Sequence, residues 1–162
     1  MIFLSVGTER FPFDRLVQAA DKIQERLAGE PVFIQLGQSQ VLPKQCEWSR
    51  FLSFPEFRSR LSEARMVITH AGVGTILLCL QNGKIPIAVP RRKKLGEHVD
   101  DHQLEFAQRM AELGYVVLAE SQDEIMELVQ DYDKKSATLR AALKSESKLA
   151  ETLPRYLTRL GN

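Results

Sequence analysis

The chain predicts an α/β fold, a parallel sheet with helices on both faces. Three observations carry this. Short apolar runs rich in Val, Ile and Phe alternate with helical stretches of period 3.6. Glycines and prolines punctuate the changes from one to the other. No repeat, low-complexity linker or second core interrupts the alternation, so the 162 residues read as one domain.

Taken in order, residues 2–7 (IFLSVG) form the first strand. Phe13, Leu16, Val17, Ala20, Ile23 and Leu27 then mark one face of a helix, which Gly29 stops. Residues 32–37 are the second strand and 50–54 (RFLSF) the third, followed by a short helix over 56–64. A strand at 66–70 ends in Thr69 and His70, and a glycine turn leads into a buried helix around 76–80. Residues 85–90 are a strand, 99–113 a helix and 115–119 the last strand. From about residue 123 to 160 the pattern is helical, broken near Pro154, with an apolar stripe of Leu149, Leu153, Tyr156, Leu157 and Leu160. That stripe either packs on its own domain or docks on a partner.

Composition excludes several classes. An apolar content of 44% is that of a soluble globular domain, and a net charge of +1 argues against a nucleic-acid binder. No apolar run approaches the roughly 20 residues that span a bilayer. The first strand begins at Ile2, so no signal peptide is expected. Cys46 and Cys79 have neither metal nor redox spacing and read as reduced thiols, which suits the cytoplasm.

The chemistry concentrates between Ile68 and Ala107. Gly72, Gly74 and Thr75 open a helix directly after a strand, where backbone amides and the positive helix end suit an oxyanion. Leu77 stands where a dinucleotide fingerprint needs its third glycine, and LGQS after the second strand offers no acid for a ribose. Both points argue against an NAD-dependent oxidoreductase. The next strand runs into Arg91, Arg92, Lys93 and Lys94. Those cations read as a solvated loop, or as attraction for a diphosphate or an anionic lipid. His98 and His102 are spaced i, i+4, but no third ligand is evident and no metal site is expected. On a parallel sheet, ligands bind at the carboxyl ends of the strands, where both turns lie.

These residues add up to a family resemblance. VGT at 6–8, THAGVGTIL at 69–77, GKIPIAVPR at 83–91 and HVDDHQLEFA at 98–107 are similar to the donor-binding half of GT-B glycosyltransferases of family 28. The likeness covers residues 1 to about 120 and is greatest to catalytic subunits of two-part transferases, of N-glycan assembly and of exopolysaccharide synthesis. It implies a Rossmann-like domain that binds a UDP-sugar as donor substrate and needs no further cofactor. It also implies a polyprenyl-diphosphate-linked acceptor and a separate membrane-anchored subunit completing the fold. The chain would then lie at the membrane only through that partner. An isolated half would expose the apolar face meeting the other half, so homodimers are allowed for when the partner is missing.

The resemblance also implies roles. Gly7 and Thr8 would face the cleft between the halves and meet a diphosphate. Gly72, Gly74 and Thr75, with His70, match the turn beside the donor diphosphate and ribose. Arg91 would open onto the nucleotide, and His102, Gln103 and Glu105 would contact sugar hydroxyls. The departure is Leu78, where much of the family carries a ribose-binding acid. Either another group such as Glu97 or Asp100 supplies that contact, or affinity for the donor alone is poor. The catalytic base is left among His70, Glu97, Asp100 and Asp101. His70 has the alternative of merely capping its turn. A non-catalytic nucleotide-sugar binding module is the second reading, and Leu78 is what favours it.

Overall fold

The computed structural model describes residues 1–145 and contains six parallel strands with five α-helices. The predicted C-terminal stripe and the break near Pro154 lie outside the described residues. The strands are β1 (Ile2–Ser5), β2 (Val32–Gln35), β3 (Glu47–Ser49), β4 (Met66–His70), β5 (Ile87–Val89) and β6 (Val117–Leu118). Between and after them lie α1 (Asp14–Arg26), α2 (Phe54–Glu63), α3 (Val73–Gln81), α4 (His102–Glu112) and α5 (Gln122–Ser145).

The sheet order is β3-β2-β1-β4-β5-β6. The chain builds outward from β1 through β2 to β3, then crosses back to lay β4 on the other side of β1. Ile2 pairs with Val32 on one side and with Met66 on the other. Strand order reverses between β1 and β4, and a crevice opens there at the carboxyl ends.

Every residue of β1, β2, β4 and β5 is buried, as befits strands covered on both faces. On one face Leu4, Ile34, Ile68 and Ile87 pack with Leu16, Val17 and Ile23 of α1 and Val129 and Tyr132 of α5. On the other, Phe3, Phe33 and Val67 meet Leu61 of α2 and Cys79 of α3, and Ala88 meets Phe106 and Met110 of α4. The Tyr132 hydroxyl donates to the Ile85 carbonyl at 2.8 Å and ties α5 to the sheet. Among the described residues no helix is long and apolar enough to cross a membrane.

The third strand corrects the sequence expectation. It occupies 47–49 rather than 50–54, because Ser53 begins α2 with a reciprocal capping box to Glu56 and a proline in the first turn. As an edge strand with Glu47 and Trp48 exposed, β3 lacks the apolar run that marked its neighbours. Helix α4 starts at His102 rather than 99, and a short 3₁₀ turn at Lys93–Leu95, ended by Gly96 at φ 71°, precedes it.

Candidate functional site

A cleft of about 590 Å³ opens at the carboxyl ends of β1, β2 and β4. Its polar floor comes from the strand ends. The Ser5 hydroxyl donates to Gln35 Oε1 at 3.1 Å, and the Gly7 amide donates to Ser5 Oγ at 3.3 Å. One wall is the start of α3, with Gly72, Gly74 and Thr75, continued by Leu77, Leu78 and Gln81. The facing wall is apolar, formed by Leu52, Phe54 and Phe57 around the start of α2. Thr8 and His70 complete the lining.

Helix α3 points its N-terminus into this cleft. Gly72 is the N-cap and offers no side-chain acceptor, and the first turn carries no acidic residue. Unsatisfied amides and the positive helix end therefore face the opening without a built-in counter-charge. Such a helix start is able to bind an anion through its backbone, and Gly74 leaves open space beside it.

His70 is wedged between the two glycine turns. A Cβ on Gly7 would lie 2.5 Å from its ring, and one on Gly72 only 2.2 Å from Nε2. Nδ1 lies 3.2 Å from the Thr69 hydroxyl. Burial pushes the imidazole pKa down to about 4, and the positive charge of Arg91 adds to this, against a hydrogen bond to the Ser5 backbone. The ring is therefore neutral near pH 7, and so weak a base makes a poor general base there.

This shift carries a prediction about stability. The unfolded chain takes up a proton near His70's ordinary pKa of 6.5, whereas the folded chain resists until about 4. Stability is therefore complete above the higher value and falls as pH drops towards the lower one. By about pH 5 the loss amounts to about 2 kcal/mol. Urea denaturation at neutral and acidic pH, compared with His70→Asn, should show that component missing from the variant.

Of the candidate residues, Gly7, Thr8, His70, Gly72, Gly74 and Thr75 come together around the cleft. The others do not line it, and their partners explain why. Arg91 is fully buried, and its guanidinium donates to backbone carbonyls of Val6, Phe11 and Glu97 rather than facing a nucleotide. Glu97 is closed in by Arg15, at 2.9 and 3.0 Å, and by the Arg92 amide at 2.9 Å. Such a carboxylate is neither an available base nor a ribose ligand.

Asp100 accepts from the His102 amide and pairs with the rings of His98 and His102, which holds its carboxyl below the usual range. Asp101 accepts from the Lys93 amide at 2.9 Å. His102 and Glu105 are exposed at the start of α4, and Gln103 accepts from the Arg91 amide. Among the described residues no group of three His, Cys, Asp or Glu side chains is placed to hold a metal.

Sequence reasoning missed Ser5, Gln35, Leu52, Phe54, Phe57 and Gln81. Gln35 had a signal, as a polar residue near the end of an otherwise apolar strand. The apolar wall had one too, in the capping box that fixes where α2 begins.

The sheet order and strand-end cleft define a Rossmann-like α/β domain. Solved glycosyltransferase structures share the fold. MurG of Acinetobacter baumannii is 19% identical with a TM-score of 0.59, over 86% of this chain and 44% of that one. CalG4, the calicheamicin glycosyltransferase, is 18% identical with a TM-score of 0.58, over 99% and 44%. The model of the glycosyltransferase family 28 C-terminal domain matches residues 1–155, and the chain belongs to that family. Among curated relatives, the human UDP-N-acetylglucosamine transferase subunit ALG13 is 32% identical over 123 residues, 71% of this chain. The mouse protein of the same name is 34% identical over 124 residues. The chain spans 10% of the length of each.

Proposed function

We propose that this chain is the donor-binding, catalytic subunit of a two-part glycosyltransferase. It takes a sugar from a UDP-sugar and passes it to a polyprenyl-diphosphate-linked acceptor, and it becomes active with a membrane-anchored subunit that supplies the other half of the fold. The observation that carries this reading is the uncapped, acid-free start of α3 facing a cleft at the strand-order reversal. Family membership and the relatives named as UDP-N-acetylglucosamine transferase subunits support it, and they favour an N-acetylglucosamine donor and an N-glycan-type acceptor over exopolysaccharide synthesis. The chain would then lie in the cytoplasm, held at the membrane by its partner.

In this reading the reaction is a displacement at the anomeric carbon. The acceptor oxygen forms the new bond as the bond to the departing UDP oxygen breaks. The amides of the α3 turn and of Thr8 stabilise the charge that grows on the diphosphate. Neutral His70 helps as a hydrogen-bonding group in the floor between them. The acceptor's proton goes to a base that the partner's side of the cleft shapes. Leu52, Phe54 and Phe57 give the flat uracil an apolar wall.

The ribose hydroxyls require a polar group on α3, and Leu78 cannot supply one. Gln81 lies three residues further along the same helix and lines the same cleft. It can give and accept hydrogen bonds to neighbouring hydroxyls. Leu78→Glu should therefore raise UDP affinity, by about tenfold for one charge-assisted hydrogen bond. Gln81→Ala should lower it. The direct test is transfer from radiolabelled UDP-N-acetylglucosamine to a lipid-linked acceptor by the reconstituted pair. Absence of label in the lipid phase, with both subunits folded and associated, would leave a nucleotide-sugar binding module, the reading that Leu78 favours.

A further inference from the structure

We propose that Arg91 is a positioning residue that locks two strand-end segments, 6–13 and 90–105, into one unit beside the cleft. Arg91 is 0% exposed. Nη2 donates to the Val6 carbonyl at 2.7 Å, and Nη1 donates to Phe11 at 2.8 Å and to Glu97 at 3.1 Å. The guanidinium carbon lies over the Phe13 ring, 4.7 Å from its centroid. Its own amide donates to Gln103 Oε1 at 3.3 Å. One side chain and one amide thus hold the end of β1, the approach to α1, the loop after β5 and the first turn of α4.

A second clamp closes the same seam. Arg15 of α1 donates to both oxygens of Glu97 and to the Pro90 carbonyl at 3.2 Å, and Glu97 accepts from the Arg92 amide. The two segments do different work at the site. The first carries Gly7 and Thr8, which line the cleft. The second leads into His102 and Gln103, outside that lining. A buried cation bonded to four carbonyls cannot reach a ligand, yet it sets the spacing between the elements that flank one.

Only the arginine fork fits. Its donors are fixed in a plane and diverge towards carbonyls of both segments, whereas a lysine ammonium is a single point on a flexible stem. Burial lowers the Arg91 pKa to about 10, so the cation persists at neutral pH. Nε has no hydrogen-bond partner. Retaining a buried donor at that cost is consistent with a role for the other two nitrogens that a smaller residue cannot fill. That the lock serves donor binding rests on the function proposed above; the lock itself does not.

The test uses the full chain, wild type and Arg91→Lys, followed by amide hydrogen exchange and by UDP calorimetry. In Arg91→Lys, exchange should quicken in 6–13 and 90–105 together while β2, β3 and α2 keep wild-type protection. UDP affinity should fall by about tenfold or more, although no cleft-lining residue has changed. Unchanged exchange in both segments, or a uniform rise across the chain, would overturn the lock and leave Arg91 a general stabiliser.

Should the variant not fold, wild-type exchange at low urea decides the matter. The slowest amides of both segments should open with one common free energy and urea dependence. Two separate values would overturn the proposal. Should wild type bind no UDP, the functional reading fails, and the exchange pattern still tests the lock.

Discussion

Gly74→Asp is expected to abolish UDP binding while leaving the fold as stable as before, or slightly more stable. Gly74 is the second residue of α3, and a Cβ there meets nothing within 4 Å. The side chain therefore has room. A carboxylate in the first turn is favoured by the helix dipole, and replacing glycine in a helix removes a conformational cost. The same carboxylate would stand among the amides assigned to the diphosphate. Like charges about 4 Å apart repel by roughly 4 kcal/mol near a protein surface. After screening, this is a loss of at least about 100-fold in affinity. Gly74→Asn, nearly the same shape without the charge, should retain much more binding. Calorimetry and a thermal melt on both variants separate the two effects. An aspartate variant that binds UDP like wild type would place the diphosphate elsewhere.

Gly7→Ala should behave in the opposite way and cost fold stability first. Gly7 has φ +82°, and an added Cβ would lie 2.5, 2.6 and 2.9 Å from three atoms of the His70 ring. The ring cannot retreat, because Gly72 approaches it as well and His70 is only 7% exposed. Left-handed backbone strain costs an alanine about 1–2 kcal/mol, and overpacking a buried site about 1–3 kcal/mol. A net loss of about 3 kcal/mol is expected in urea denaturation. Gly29→Ala is the control, since a Cβ there meets nothing within 4 Å and its φ is not positive. Adding His70→Ala to Gly7→Ala should recover the packing part and leave the backbone part, which a double-mutant cycle resolves. If Gly7→Ala costs no more than Gly29→Ala, the wedge is not what holds this floor together.

Much of this fold was readable because its strands are fully buried. Residues 2–5, 32–34, 66–68 and 87–89 are unbroken apolar or small stretches, and glycine or proline follows close after each. The edge strand was not readable in the same way. Glu47 and Trp48 face solvent, so the apolar run at 50–54 drew the strand three residues too far, although Ser53 and Glu56 already announced a helix start. The sheet order was not spelled out either, because register between distant strands leaves no local mark.

The site divides along the same line. The glycine turn was legible, since glycines before a helix have a direct backbone meaning. The charged residues after β5 were not. Sequence shows that Arg91 and Glu97 are charged, but not that one binds carbonyls of two distant segments and the other is closed in by Arg15. The apolar wall of Leu52, Phe54 and Phe57 is announced only by the capping box that starts α2, which marks a helix and not a ligand.

On the function proposed above, the cleft at the start of α3 holds a uridine diphosphate. Calorimetric titration of the purified chain with UDP, beside ADP and NAD at the same concentrations, tests it most directly. Binding of UDP in preference to both others, lost in Gly74→Asp, is the predicted result. Preferential binding of NAD or ADP, or UDP binding that Gly74→Asp leaves unchanged, would contradict it.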